Sequence, residues 1–255
     1  MDATSLDTIA HDAKIRIHII TSSVAYAVAA LEKDEKSAFQ LGTPVRMGLS
    51  DEEVNDPDVI ARMRWEYRAW VIGHALAEIS ESIATFLNVL VRAEGKALGC
   101  NERYEKFERL GLNLKLKALP LLTLDDDYQS AIESVTSARN CLIHRHGIVG
   151  DRDCNVTGEL VLTWRGIKLF RVQPDGLVEF DPSHRGSATQ KAGDMVQILV
   201  TGIERKFGIG SRLDLEPEDL CTLSWCFQGI TDAIHKAAQE VLVPGVDTKQ
   251  ADAAT

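Results

Sequence analysis

The chain has 255 residues, a formal net charge of −10, and 45% hydrophobic against 26% charged residues. That length can bury a sizeable core in one large domain or two small ones. The acidic balance, with a pI near 5.2, argues against a broad electrostatic platform for DNA or anionic lipid, while leaving room for a small basic pocket around a phosphate.

The five cysteines (Cys100, Cys141, Cys154, Cys221, Cys226) are scattered, with no CxxC and no Cys/His spacing that assembles a zinc site. Met1-Asp2-Ala3-Thr4 lacks the basic start and apolar run of a signal peptide. The apolar stretch from Ile15 to Leu31 is broken by Arg16, His18, Thr21, Ser22 and Ser23, too polar for a membrane span. The expected location is cytoplasmic, with no membrane partner.

In chain order, Ile9, Ala13, Ile17, Ile20, Val24, Val28 and Leu31 recur at helical spacing and predict a helix from Ser5 to about Lys33. Gly42, Pro44, Gly48 and Pro57 mark residues 34–56 as a loop. From Pro57 to Leu98 two apolar stripes share one long helix. One is Ile60, Met63, Tyr67, Trp70 and Val71; the other is Ile72, Leu76, Ile79, Ile83, Phe86 and Leu90. Such a helix is covered on more than one side, as at the centre of a bundle. A shorter basic helix is expected over Asn101–Leu119, bent near Gly111 and ended by Pro120. Asp125-Asp126-Asp127 then supplies an N-cap and first-turn negative charge for a helix from Tyr128 to His144.

After Gly147 the periodicity changes to alternation. Residues 160–164, 167–172 and 177–180 predict a three-stranded meander with turns at Arg165-Gly166 and Pro174-Asp175-Gly176. Helices are expected to return at Ala188–Phe207, on Met195, Ile198, Leu199 and Ile203, and at Pro217–Leu242, which opens with a first-turn Pro and Glu218-Asp219. The expected class is therefore mainly α. A helical bundle spans 1–150, a small antiparallel β-meander 151–185, C-terminal helices packing on the bundle 186–243, and a frayed tail 244–255. The four tryptophans, Trp65, Trp70, Trp164 and Trp225, are expected in the core.

The chemistry-bearing segment is Arg139-Asn140-Cys141-Leu142-Ile143-His144. A guanidinium neutralises phosphate through a planar fork of donors, and an imidazole moves protons near neutral pH. Together they suit cleavage of a phosphodiester without a metal. Spacing alone is unspecific: Arg139/His144, Arg139/His146 and Arg68/His74 all fit an Arg-x(4–6)-His pattern. Two features favour the first pair. Asn140 adds a neutral donor beside the arginine, and on the helical wheel Arg139 sits near the centre of the apolar face formed by Ile132, Val135, Leu142 and Ile143. A guanidinium on an apolar face needs an acceptor, whether carboxylate, partner chain or phosphate. In an unbroken helix His144 lies about 140° around from Arg139. The two share a site only if the helix loosens near Leu142 or a second copy completes it.

This segment resembles the HEPN superfamily (higher eukaryotes and prokaryotes nucleotide-binding), whose Arg-x(4–6)-His motif often begins Arg-Asn, as in Arg139-Asn140-x-x-x-His144. The likeness covers the motif and its helical setting, about 20 residues, and the 5–147 bundle in outline. It implies an HEPN-like bundle and a metal-independent endoribonuclease with no cofactor. It also implies a homodimer with a composite cleft, an RNA substrate cut by 2′-OH attack, and a prokaryotic toxin or defence setting in which a neutralising partner protein is possible. Arg139, Asn140 and His144 would be catalytic. His146, Glu78, Arg68 and His74 are supporting or alternative groups, Glu78 being placed to orient Arg139. Arg103, Lys106, Arg109 and Arg145 form an RNA track.

The alternative is a non-catalytic HEPN-like module for dimerisation or for partner or nucleotide binding, in which Arg139 pairs with Glu78 or Glu133 and His144 caps its helix. A metal-dependent enzyme is disfavoured because no acidic or His/Cys cluster has ligand spacing, and Asp125-Asp126-Asp127 reads as a cap.

Overall fold

The computed structural model describes residues 2–33, 56–173, 176–179 and 196–243. The loop expected at 34–56, all but its last residue, and the tail at 244–255 lie outside them. Two long helices come first: α1, Ala3–Lys33, and α2, Pro57–Glu94. The start of α2 is set locally. The Asp56 side chain accepts from the Asp58 N–H at 2.9 Å, and Pro57 occupies the first turn, where its missing donor costs nothing. α2 ends at Glu94, and the expected extension to Leu98 is a run of turns in which Gly99 takes φ +76°.

The helix expected over 101–119 is two short ones, α3 (Tyr104–Glu108) and α4 (Leu112–Lys117), with Gly111 as the N-cap of the second. α5 runs Asp126–Arg145 and is capped by Asp125, whose side chain accepts from the Tyr128 N–H at 2.9 Å. A single 3-10 turn, Asp151–Asp153, precedes the sheet.

The sheet is where the sequence reading needs correction. β1 is one strand from Glu159 to Gln173, with no turn at Arg165-Gly166, followed by β2, Gly176–Glu179. The third strand is β3, Val196–Gly208, in place of the helix expected at 188–207, of which 188–195 lie outside the described residues. The order is β2-β1-β3, antiparallel throughout, in unbroken register from Glu159↔Gly208 to Arg171↔Val196. Val196, Ile198, Val200, Thr201 and Ile203 are β-branched and fit a pleated ladder better than a helix. Gly166 is not a turn residue; a Cβ there would come within 2.1 Å of Ile203 Cδ1, so it marks a close approach across the sheet.

The last helix, α6, runs Pro217–Leu242 and begins with the Asp219 carboxylate accepting from the Glu216 N–H at 3.2 Å. The protein is mostly helical, with this antiparallel sheet packed on it. α1 packs on α2 and α6, and α5 lies between α2 and β1. One apolar junction brings α2, α5, β1 and α6 together: Leu76, Val135, Ala138, Leu162, Trp164 and Leu223. Ser134 stitches α5 to the sheet, its Oγ accepting the Thr163 N–H at 2.9 Å. The bundle and C-terminal segment thus share one core. Among the described residues, no helix is long and apolar enough to cross a membrane.

Candidate active site

The site residues are carried by the second half of α5 and its C-terminal turn. The helix stays unbroken through Arg145, so the loosening near Leu142 does not occur. His146 then takes a left-handed conformation, φ 52°, and is the one non-glycine with positive φ among the described residues. Gly147 follows at φ +75°, its N–H donating back to the Cys141 carbonyl at 3.2 Å.

This end is pinned from several sides. Trp65 Nε1 donates to the His146 carbonyl at 3.2 Å, and the Leu213 N–H donates to the Gly147 carbonyl at 2.7 Å. Arg145 is ion-paired with Asp153, whose side chain is 5% exposed and also accepts the Gly150 N–H at 2.8 Å. α2 approaches closely because residue 73 is glycine: a Cβ there would meet Leu142 Cβ at 2.9 Å and Ile143 Cγ1 at 3.1 Å.

Arg139 is half-buried, and Asn140 and His144 are exposed. Arg139 Nη1 donates to Asn140 Oδ1 at 3.0 Å, and among the described residues Arg139 pairs with no carboxylate. Its place on the helix differs from the expectation. The buried face is set by Ala131, Ile132, Ser134, Val135, Ala138, Cys141 and Leu142, with Ile132 at its edge, so Arg139 lies at the rim of that face, not its centre. Cys141, inside the motif, is fully buried, and burial pushes its thiol up to about 12. It is a packing group and not a nucleophile at neutral pH.

Asn140 and His144 are one turn apart on the solvent side, about 40° around the helix, while Arg139 and His144 are about 140° apart. One chain therefore presents the amide and imidazole together, with the guanidinium tied to the amide from the flank.

The supporting residues disperse. Glu78 pairs with Arg16 of α1 at 3.0 Å and does not orient Arg139. Arg68 reaches Asp214 at 2.8 Å, the Leu215 carbonyl at 2.9 Å and Glu216 at 3.3 Å, joining α2 to the segment before α6. His74 Nδ1 lies 2.9 Å from the Trp70 carbonyl, with its ring against Trp70. His146 is exposed and forms the left-handed C-cap of α5.

Of the proposed RNA track, Arg103 and Arg109 are exposed, and Lys106 is paired with Glu102 at 2.8 Å. Arg145 is committed to Asp153. Lys115, in the same basic run, is only 2% exposed, its Nζ donating to Asn88 Oδ1 and to the Phe107 and Glu108 carbonyls at 2.7–2.8 Å. Trp164 is core, whereas Trp70 is 56% exposed and Trp65 and Trp225 are half-buried.

Asp125 caps α5, Asp127 follows in its first turn, and the two hold Arg165 at 3.0 and 2.9 Å, with its guanidinium over the Tyr128 ring. Among the described residues, no three carboxylate, imidazole or thiol groups gather as a metal site would need.

A groove of about 520 Å³ lies elsewhere, between α1 and α6. Its charged groups are paired across it, Lys14 with Asp232 at 2.7 Å and His235 with Asp7 at 2.8 Å. Those pairs fasten the first helix to the last. No known family model, curated protein or solved structure matches the chain.

Proposed function

We propose that the chain is a metal-independent endoribonuclease of the HEPN type, cleaving single-stranded RNA and completed by a second copy. The observation that carries this reading is the state of Arg139: a cation at a rim, hydrogen-bonded to the neutral Asn140, with no described carboxylate to neutralise it and an exposed imidazole one turn on from that amide. An ion pair with Glu78 or Glu133 would have spent that charge.

In the reaction, a ribose 2′-OH attacks the adjacent phosphorus. One imidazole takes the hydroxyl proton, and another group protonates the departing 5′-oxygen. The products are a 2′,3′-cyclic phosphate and a 5′-hydroxyl. Arg139 and Asn140 stabilise the charged phosphorane by charge-assisted and neutral hydrogen bonds. The angle between Arg139 and His144 favours sharing: the His144 of one copy works with the Arg139 of the other. A prokaryotic toxin or defence setting, with a neutralising partner, belongs to the same reading.

The test is cleavage of single-stranded RNA in EDTA by the wild type, Arg139→Ala, Asn140→Ala and His144→Ala. The Arg139→Ala and His144→Ala chains are each expected to lose at least about 100-fold in rate. Mixed together, they are expected to regain activity, because one shared site then has both groups intact. Equal rates for wild type and variants refute the nuclease. A wild type that never cuts RNA, with Arg139→Ala lowering dimerisation instead, favours the non-catalytic module.

A further inference from the structure

An edge strand exposes a row of unpaired N–H and C=O groups, which proteins guard with charges, proline, bulges or short length. β3 is 13 residues long and lies at the outside of the β2-β1-β3 sheet. Its distal half, Val196-Gln197-Ile198-Leu199-Val200-Thr201-Gly202, has neither a charged residue nor a proline. Its register with β1 is one-to-one throughout, without a bulge. Ile198 and Val200 are 61% and 60% exposed, and Leu199, on the opposite face, is 38% exposed. The other half is guarded and anchored: Glu204, Arg205 and Lys206 follow in sequence, and Arg205 binds the buried Asp219 of α6 at 2.8 Å. Beyond Gly166, where β1 passes Ile203 and Thr222, no described side chain of the sheet is fully buried.

We propose that this neutral edge docks a second copy of the chain. The two β3 strands pair antiparallel about a twofold axis at Leu199, joining two three-stranded sheets into one. The sequence is complementary to itself in that register. Ile198 falls beside the second copy's Val200, Leu199 beside its own counterpart, and Gln197 beside the second copy's Thr201. Apolar meets apolar, and the polar pair can hydrogen-bond. Moving the axis to Val200 sets Leu199 against Thr201 and Gln197 against Ile203, which loses both matches. The inference is independent of the nuclease reading, since Arg139, Asn140 and His144 lie on α5 and not on the sheet.

Sedimentation of the full chain tests it. The wild type is expected to assemble to twice the mass shown by Leu199→Lys or Leu199→Glu, because like charges then face each other across the axis. Each substitution should raise the half-assembly concentration at least about tenfold. An equimolar mixture of the two variants should recover the wild-type mass, since lysine then faces glutamate. A second arm needs no disruptive change. Leu199→Cys in a Cys221→Ser background should cross-link into a two-chain product under mild oxidation, while the Cys221→Ser parent does not. Either antiparallel pair geometry holds the two Cα atoms within disulfide reach. Identical masses for wild type and both variants, a mixture that stays unassembled, or no cross-link at position 199 would each overturn the proposal.

Discussion

The pair between Arg145 and Asp153 sets the stiffness of the motif's helix end, and its removal has a calculable cost. Asp153 is 5% exposed and holds two donors, the Arg145 guanidinium and the Gly150 N–H; Arg145 is 32% exposed. A hydrogen bond to a charged group contributes about 1.5–3 kcal/mol and a neutral one about 1 kcal/mol. Asp153→Ala loses both and is expected to cost about 3 kcal/mol. Arg145→Ala removes the one cation paired with a buried carboxylate and leaves it the Gly150 N–H and the Cys141 thiol among the described residues. Discounted for the partial exposure of the arginine, that is about 2 kcal/mol. The double variant should fall short of the sum by about 1.5 kcal/mol, the coupling between the two side chains. Urea unfolding of the four chains measures this, and about 3 kcal/mol corresponds to a fall in Tm of about 6–12 °C for a chain of this size. A wild-type Tm in Arg145→Ala, or additive losses in the double variant, would refute the clamp and return Arg145 to the pool of exposed cations available to RNA.

Three further expectations concern the body that carries the site. Burial holds the Lys115 ammonium below its ordinary value of 10.5. The unfolded chain therefore keeps a proton that the folded chain sheds first, and this group adds stability as pH rises through the folded value toward 10.5. The stability advantage of wild type over Lys115→Met, measured by urea unfolding, should widen between neutral pH and the alkaline range; a narrowing contradicts the assignment. Gly73→Ala gains about 1 kcal/mol of helix propensity but loses about 1–3 kcal/mol to the Leu142 and Ile143 overlap, so a net loss near 1 kcal/mol is expected; a more stable variant would show that α2 and α5 can part without cost. Alkylation with iodoacetamide near pH 8 should reach the exposed Cys221 and spare Cys141 and Cys226, whose thiols are buried and pushed up to about 12 and about 11. Peptide mapping that finds Cys141 labelled first would contradict its packing role.

What the sequence disclosed was local. Apolar spacing placed α1, α2, α5 and α6, and Asp125 and Pro217 marked two helix starts, because periodicity and capping are properties of neighbouring residues. β3 was hidden because Met195, Ile198, Leu199 and Ile203 also fit a helical stripe, and the partner that decides between the two, β1, lies some 30 residues away. Arg165-Gly166 imitates a turn signal, yet the glycine serves a close contact within a strand. The face of α5 was misjudged by weighing large aliphatic residues alone, when Ala131, Ser134, Ala138 and Cys141 let the sheet approach. Nothing in the spacing of Arg145 and Asp153 announces their pairing, which depends on the reversal at His146 and Gly147.

That reversal bears on how the proposed reaction could work. Were the end of α5 loose, the last turn could unwind and swing His144 toward Arg139 within one chain. Here the turn is held by Trp65, by Leu213 and by the Arg145–Asp153 pair, and Gly73 lets α2 press directly on Leu142 and Ile143. Unwinding would have to break these contacts together. The separation of about 140° is therefore a fixed feature of the chain. Asn140 and His144 are the pair that a single copy presents side by side, and the Arg139–Asn140 hydrogen bond keeps the guanidinium at their flank. A phosphate held by Asn140 and His144 of one copy would have that guanidinium on one flank, and a second copy would bring another to the open side. This is why pooling two inactive variants reports on the site more directly than either variant alone.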